Sequence, residues 1–206
     1  MKVEGEHTFK SNPQQVWDLF RDTGVMAAAL PGTQRMELVA DNEYEAEMNV
    51  RVGPVAGIFS GKLVISNEKF PESYTMTVDG RGKPGFLKGT GDIILIDQME
   101  GETLMKYTGE VQIGGKLAGV GQRLIDTVSK SIINQAFETL DGVLAERTTA
   151  AAEGREAVYQ EASEGDYAAA VAKDVVGGIF STSRAKWVLG IVILVVIGLI
   201  VLLSLT

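Results

Sequence analysis

Apolar and polar residues alternate from the first residues of the chain. Val3, Gly5, His7 and Phe9 fall on one side, and Lys2, Glu4, Glu6, Thr8 and Lys10 on the other, which predicts a half-buried strand. Ser11 or Asn12 then offers an N-cap, with Pro13 in the first turn of a short helix whose apolar side is Val16, Trp17, Leu19 and Phe20. Asp22-Thr23-Gly24 breaks it, and residues 25–30 predict a second short helix ended by Pro31-Gly32. Strands follow. Met36, Leu38 and Ala40 alternate with charged neighbours, then Tyr44, Ala46, Met48, Val50 and Val52 with Glu43, Glu45, Glu47, Asn49 and Arg51. Residues 58–69, 73–79, 86–97 and 103–113 continue the meander, with turns at Asn67-Glu68, Pro71-Glu72 and Glu100-Gly101.

After Gly114-Gly115 the period changes from 2 to 3.6. Leu117, Gly121, Leu124, Val128, Ile132, Ala136, Leu140 and Val143 form a stripe, which predicts one long helix from about Lys116 to about Arg147. The order is strand, two short helices, six strands, long helix. The fold class expected is α+β: a curled antiparallel seven-stranded sheet that shares its core with the long helix. Glycines within the strands favour strong curvature, and such a sheet leaves a cavity beneath the helix.

Residues 148–186 read differently, as an acidic, Ala-rich linker, with Val171, Val175 and Ile179 spaced for a short helix near its end. Residues 187–205 carry no charge and predict a transmembrane helix roughly 28 Å long, close to the hydrocarbon thickness of a bilayer. Arg184 and Lys186 precede it, so the positive-inside rule places the N-terminal domain, residues 1–147, in the cytoplasm of a single-pass, tail-anchored cell-membrane protein. The start, MKVEGEHTFK, has no apolar core of a signal peptide.

Composition narrows the chemistry. There is no Cys and one His, which excludes disulfides, Cys-ligated clusters and multi-His metal sites. The net charge of −8 argues against nucleic acid, and it leaves anchoring to the span rather than to lipid head groups. Residues 80–85, GRGKPG, match GxGxxG literally, but they lead into a strand and not a helix, so no dinucleotide site is expected. His7 and Tyr107 are the candidates for an acid or base, with a packed, hydrogen-bonded histidine the simpler account of His7. Met36, Met48, Met76, Met105, Phe59, Phe86, Tyr44, Tyr74 and Tyr107 are expected to face inward, and soft side chains around a cavity suit an apolar ligand. Arg123 has no carboxylate in the turn before it.

Leu30-Pro31-Gly32, residues 52–61 (VGPVAGIFSG) and residues 115–124, with Gly-Gln-Arg-Leu, carry a likeness to a known family. Over residues 1–147 the chain resembles the CoxG family of carbon monoxide dehydrogenase, within the START-like, helix-grip (SRPBCC) superfamily. The resemblance implies a membrane-linked accessory protein, not an enzyme, that recruits a molybdenum hydroxylase such as carbon monoxide dehydrogenase for electron delivery. It implies a bound lipid or quinone, menaquinone or ubiquinone, and no covalent cofactor, catalytic residue or metal. The ligand is expected to enter beside the first turns of the long helix. Leu117, Val120, Gly121 and Leu124 would then form one wall, with Phe59 and Phe86 opposite and Met26 and Leu30 near the mouth. Gln122 and Arg123, off the apolar stripe, are expected to dock the partner. Two alternatives are an enzyme on an apolar substrate, cyclase- or hydrolase-like, and a ligand-free docking adaptor.

Overall fold

The computed structural model describes residues 1–155 and residue 157. Strand β1 (Lys2–Phe9) leads into helices α1 (Pro13–Arg21) and α2 (Thr23–Ala29). Six strands follow: β2 (Thr33–Ala40), β3 (Glu43–Val52), β4 (Val55–Lys69), β5 (Ser73–Gly82), β6 (Gly85–Asp97) and β7 (Thr103–Gly115). Helix α3 (Gln122–Glu153) closes the described fold. The strands form one antiparallel sheet in the order β1-β7-β6-β5-β4-β3-β2. The meander from β2 to β7 is as the alternation predicts, and it receives the first strand on its last edge, a pairing that no local pattern indicates.

Local chemistry sets the junctions. The Asn12 side chain accepts from the Gln15 amide at 3.0 Å while the Asn12 amide donates to Gln15 Oε1, a reciprocal cap that starts α1. Asp22 caps α2 with Oδ1, taking the Gly24 and Val25 amides at 3.1 Å each. Its Oδ2 accepts from Arg147 Nη2 at 2.6 Å, which ties α2 to the far end of α3. The core sits between the inner sheet face and the helices. Phe9, Val16 and Leu19 are fully buried, and Leu140 of α3 closes over them.

The structure revises the long helix at both ends. Residues 116–121 are not its first turns. Ala118–Val120 is a short 3-10 turn, and Gly121 caps α3 with φ +92 and ψ +144, a conformation that a side chain disfavours. The apolar spacing of Leu117 and Leu124 runs through this break, which periodicity does not register. At the other end α3 continues past Arg147 to Glu153, where Gly154 stops it in the left-handed region at φ +69. Residues 148–153, expected in the linker, are therefore helical, and Ala150 is buried. Apart from residues 154, 155 and 157, the rest of the expected linker, with its short helix, and the expected transmembrane helix lie outside the described residues. Among the described residues no helix is long and apolar enough to cross a membrane.

Candidate functional site

A strand that lacks side chains on its inner face leaves a void above it. Gly91 of β6 faces Gly109 of β7, and Gly61 of β4 faces Gly80 of β5. The backbones approach so closely that a Cβ on Gly91 would sit 3.0 Å from the Thr108 carbonyl oxygen. Above this floor lie two apolar cavity lobes of about 300 and about 350 Å³, each within the size range of small-ligand sites. The first lies beneath α3, against Ile132, Ala136, Phe137 and Leu140, with Tyr107 and Ile93 from the sheet. The second lies toward β2–β5, against Met36, Tyr44, Met48, Tyr74, Phe59 and Leu117. Phe20, Met26, Leu30, Met76, Val78 and Leu87 line both, so the lobes adjoin.

Tyrosines stand among the residues that line this interior, Tyr107 in the first lobe and Tyr44 and Tyr74 in the second, in walls that are almost wholly apolar. Tyr44 and Tyr74 are more than nine-tenths buried, and neither hydroxyl has a hydrogen-bond partner among the described residues. Burial pushes the Tyr74 hydroxyl far above the ordinary phenol range, and it raises Tyr107 as well. Both therefore remain neutral donors. Tyr107 lies across Gly5 of β1, where any side chain would collide with its hydroxyl.

The predicted site residues divide. Met26, Leu30, Phe59 and Leu117 line the cavity. Phe86 does not. It stands on the outer sheet face, 39% exposed, with its ring over Gly114, while Leu87 and Gly89 take the inner positions. Val120 and Leu124 are half-buried and Gly121 is exposed, and none of the three lines either lobe. Leu124 packs instead against Gly53 in the β3–β4 turn. With its positive φ, Gly121 acts as a cap and not as a passage that a larger side chain would narrow. Gln122 and Arg123 are exposed, and the Gln122 amide donates to Asp126 Oδ1 at 2.7 Å. Sequence reasoning passed over Ile132, Ala136, Phe137 and Leu140 as cavity walls, although the helical stripe already held three of them.

His7 stands apart from both lobes. Its ring stacks on Phe137 with centroids 4.3 Å apart and an 8° tilt, and Nε2 lies 3.0 Å from Asp141 Oδ2. Asp141 is 134 residues away along the chain, so no local pattern pointed to it. The pair fastens β1 to α3 behind the cavity wall. His7→Gln should therefore leave ligand loading unchanged, within about twofold, with a loss of only about 1 kcal/mol in stability. Ligand uptake and a denaturation curve on the same protein check both parts.

The comparisons with known proteins agree with this architecture. The family model for CoxG, of carbon monoxide dehydrogenase, matches residues 5–145, more than half of the chain. No curated protein matches. Among solved structures, a conserved protein from Geobacillus kaustophilus superposes with a TM-score of 0.68 at 26% identity, covering 71% of this chain and 97% of that one. The Zhui aromatase/cyclase from Streptomyces sp. R1128 gives 0.55 at 12% identity, covering 73% and 97%. A START superfamily protein from Mycobacterium smegmatis gives 0.53 at 10% identity, covering 68% and 94%. The last two share the fold alone. On the extent of the family match and this helix-over-sheet architecture, the chain belongs to the CoxG family of carbon monoxide dehydrogenase.

Proposed function

We propose that this chain is a membrane-tethered accessory protein that holds one lipid-soluble quinone and recruits a molybdenum hydroxylase, such as carbon monoxide dehydrogenase, to the membrane for electron delivery. The family supports the accessory role and the fold supports a hydrophobic ligand. The observation that carries the ligand is the two-lobed apolar cavity with phenols on its wall. A quinone is an apolar ring and tail with two carbonyl acceptors. Methionines and aromatic rings suit the first part, and neutral tyrosine hydroxyls suit the second. The ligand places no demand on a catalytic base. The tether, for which the sequence supplies residues 187–205, would hold the domain at high local concentration beside the bilayer where such molecules reside.

The test is direct. Vesicles carrying menaquinone or ubiquinone are incubated with the protein, and quinone bound per domain is measured after separation. The double variant Tyr44→Phe/Tyr74→Phe removes two hydroxyls and no apolar surface. It should weaken quinone binding about thirtyfold, the sum of two net hydrogen bonds of about 1 kcal/mol each, and leave binding of a plain hydrocarbon chain unaltered. Equal quinone affinity in wild type and variant would remove the phenols from the account. A failure of wild type to take up either quinone would refute the ligand itself.

A further inference from the structure

The two ends of the sheet carry opposite charge. At one end the β2–β3, β4–β5 and β6–β7 turns hold Asp41, Glu68, Glu72, Asp97, Glu100 and Glu102 against Lys69, with Lys10 and Arg21, the latter paired to Glu68, beside them. At the other end lie residues 51–57, 79–89 and 112–126. Contacts bring these three segments together. Val52 pairs with Val55, and Gly85 pairs with both Gly82 and Gly115. The Leu117 amide donates to the Pro84 carbonyl at 3.1 Å, and Leu124 abuts Gly53. They contain six basic residues against two acidic ones, a net +4 on a chain of net −8, which leaves −12 for the remainder.

Four of these cations, Arg51, Lys83, Lys116 and Arg123, are exposed and have no ion pair among the described residues. Arg81 and Lys88 share Asp79, at 3.2 and 3.0 Å. Apolar residues stand among them: Ile58 is 52% exposed, and Phe86 at 39% pairs across the ladder with Arg81. Exposed apolar side chains at an end rich in cations match an anionic lipid interface, where phosphates meet the basic residues and the apolar tips pass below them. Phe59 and Leu117, which line the second cavity lobe, belong to this same end.

We infer that this basic, apolar-tipped end of the folded domain docks on an anionic bilayer surface, with Arg51, Lys83, Lys116 and Arg123 at phosphate level and Ile58 and Phe86 inserted. The acidic opposite end is repelled by the same surface, so the docking has one orientation. It sets the second lobe against the lipid, and Arg123, expected from sequence to meet an oxidoreductase, faces head groups instead. The inference deepens the carrier proposal by naming the face that receives the ligand, and it rests on that proposal only for what the docking is for.

The full chain is reconstituted in phosphatidylcholine vesicles and in vesicles containing roughly 30% phosphatidylglycerol, enough for a strongly negative surface potential. Both are treated with a limiting amine reagent, and labelling of each lysine is read by mass spectrometry. Lys83 and Lys116 should lose at least about threefold in reactivity in the anionic vesicles alone, and regain it in about 0.5 M salt, where the Debye length falls to a few ångströms. Lys10 and Lys69 serve as the reference for an intact fold. Ile58→Ser/Phe86→Ser, both exposed positions, should abolish most of the protection while Lys10 and Lys69 label as before. Equal labelling at both ends in anionic vesicles overturns the inference. Protection that appears only when purified carbon monoxide dehydrogenase is added also overturns it, and reassigns the face to a protein. Quinone content measured on the same samples separates this from the carrier proposal: loaded protein without lysine protection refutes the docking alone.

Discussion

A Val78→Trp protein should fold and yet fail to load its ligand. Val78 lines both cavity lobes, and its cross-strand neighbour on β6 is Gly89, which contributes no side chain. The indole therefore enters existing space and does not displace packed atoms. Overpacking a filled core typically costs about 1–3 kcal/mol, but filling a void restores dispersion contacts that the empty volume forfeits. Thermal stability should hold within a few degrees, while quinone bound per domain falls at least about tenfold, equivalent to about 1.4 kcal/mol of binding free energy. A folded variant with normal loading would mean that the ligand sits elsewhere.

Phe9→Ala should produce the largest loss of stability of any single truncation in the first strand. Phe9 is 0% exposed, and it meets three rings edge-on: His7 at 4.6 Å, Phe137 at 5.9 Å and Phe20 at 6.0 Å between centroids. It joins β1, α1 and α3 in one cluster. Removing such a side chain costs about 3–5 kcal/mol, from lost burial and from the cavity left behind. That is a large share of the roughly 5–15 kcal/mol that holds a domain together. The midpoint of denaturant unfolding should fall accordingly. Because Phe20 and Phe137 also line the first lobe, ligand loading should fall with it. A loss below about 1 kcal/mol would show that the β1 edge is not part of the cooperative core.

Strands with a dry face and a wet face were readable because their period is unambiguous. The alternation from Glu43 to Val52 matches β3 and its burial, and the change of period after Gly114-Gly115 marks the passage from sheet to helix. Two things were hidden, each for a physical reason. The first is what defines a cavity. A hydropathy pattern reports side chains that are present, whereas this cavity exists where Gly61, Gly80, Gly89, Gly91 and Gly109 have none. Reading Phe86 as inward placed bulk where the chain put Leu87 and, two residues on, Gly89. The second is backbone sign. Leu117 and Leu124 are spaced as on one helix, but Gly121 between them has positive φ, and spacing carries no information about φ. Contacts over long separations were equally out of reach, since His7 meets Asp141 only because β1 joins the far edge of β7 beneath α3. A net charge of −8 likewise concealed the basic end, because a total does not show how charge is distributed.

On the carrier proposal, the space between sheet and helix holds an apolar molecule. A native mass spectrum of the whole chain in mild detergent, with solvent extraction and identification of whatever dissociates, tests this. One quinone per chain is expected in wild type, and none in Val78→Trp prepared in parallel. Wild-type protein of bare chain mass, or the same lipid in equal amount on both proteins, would contradict it.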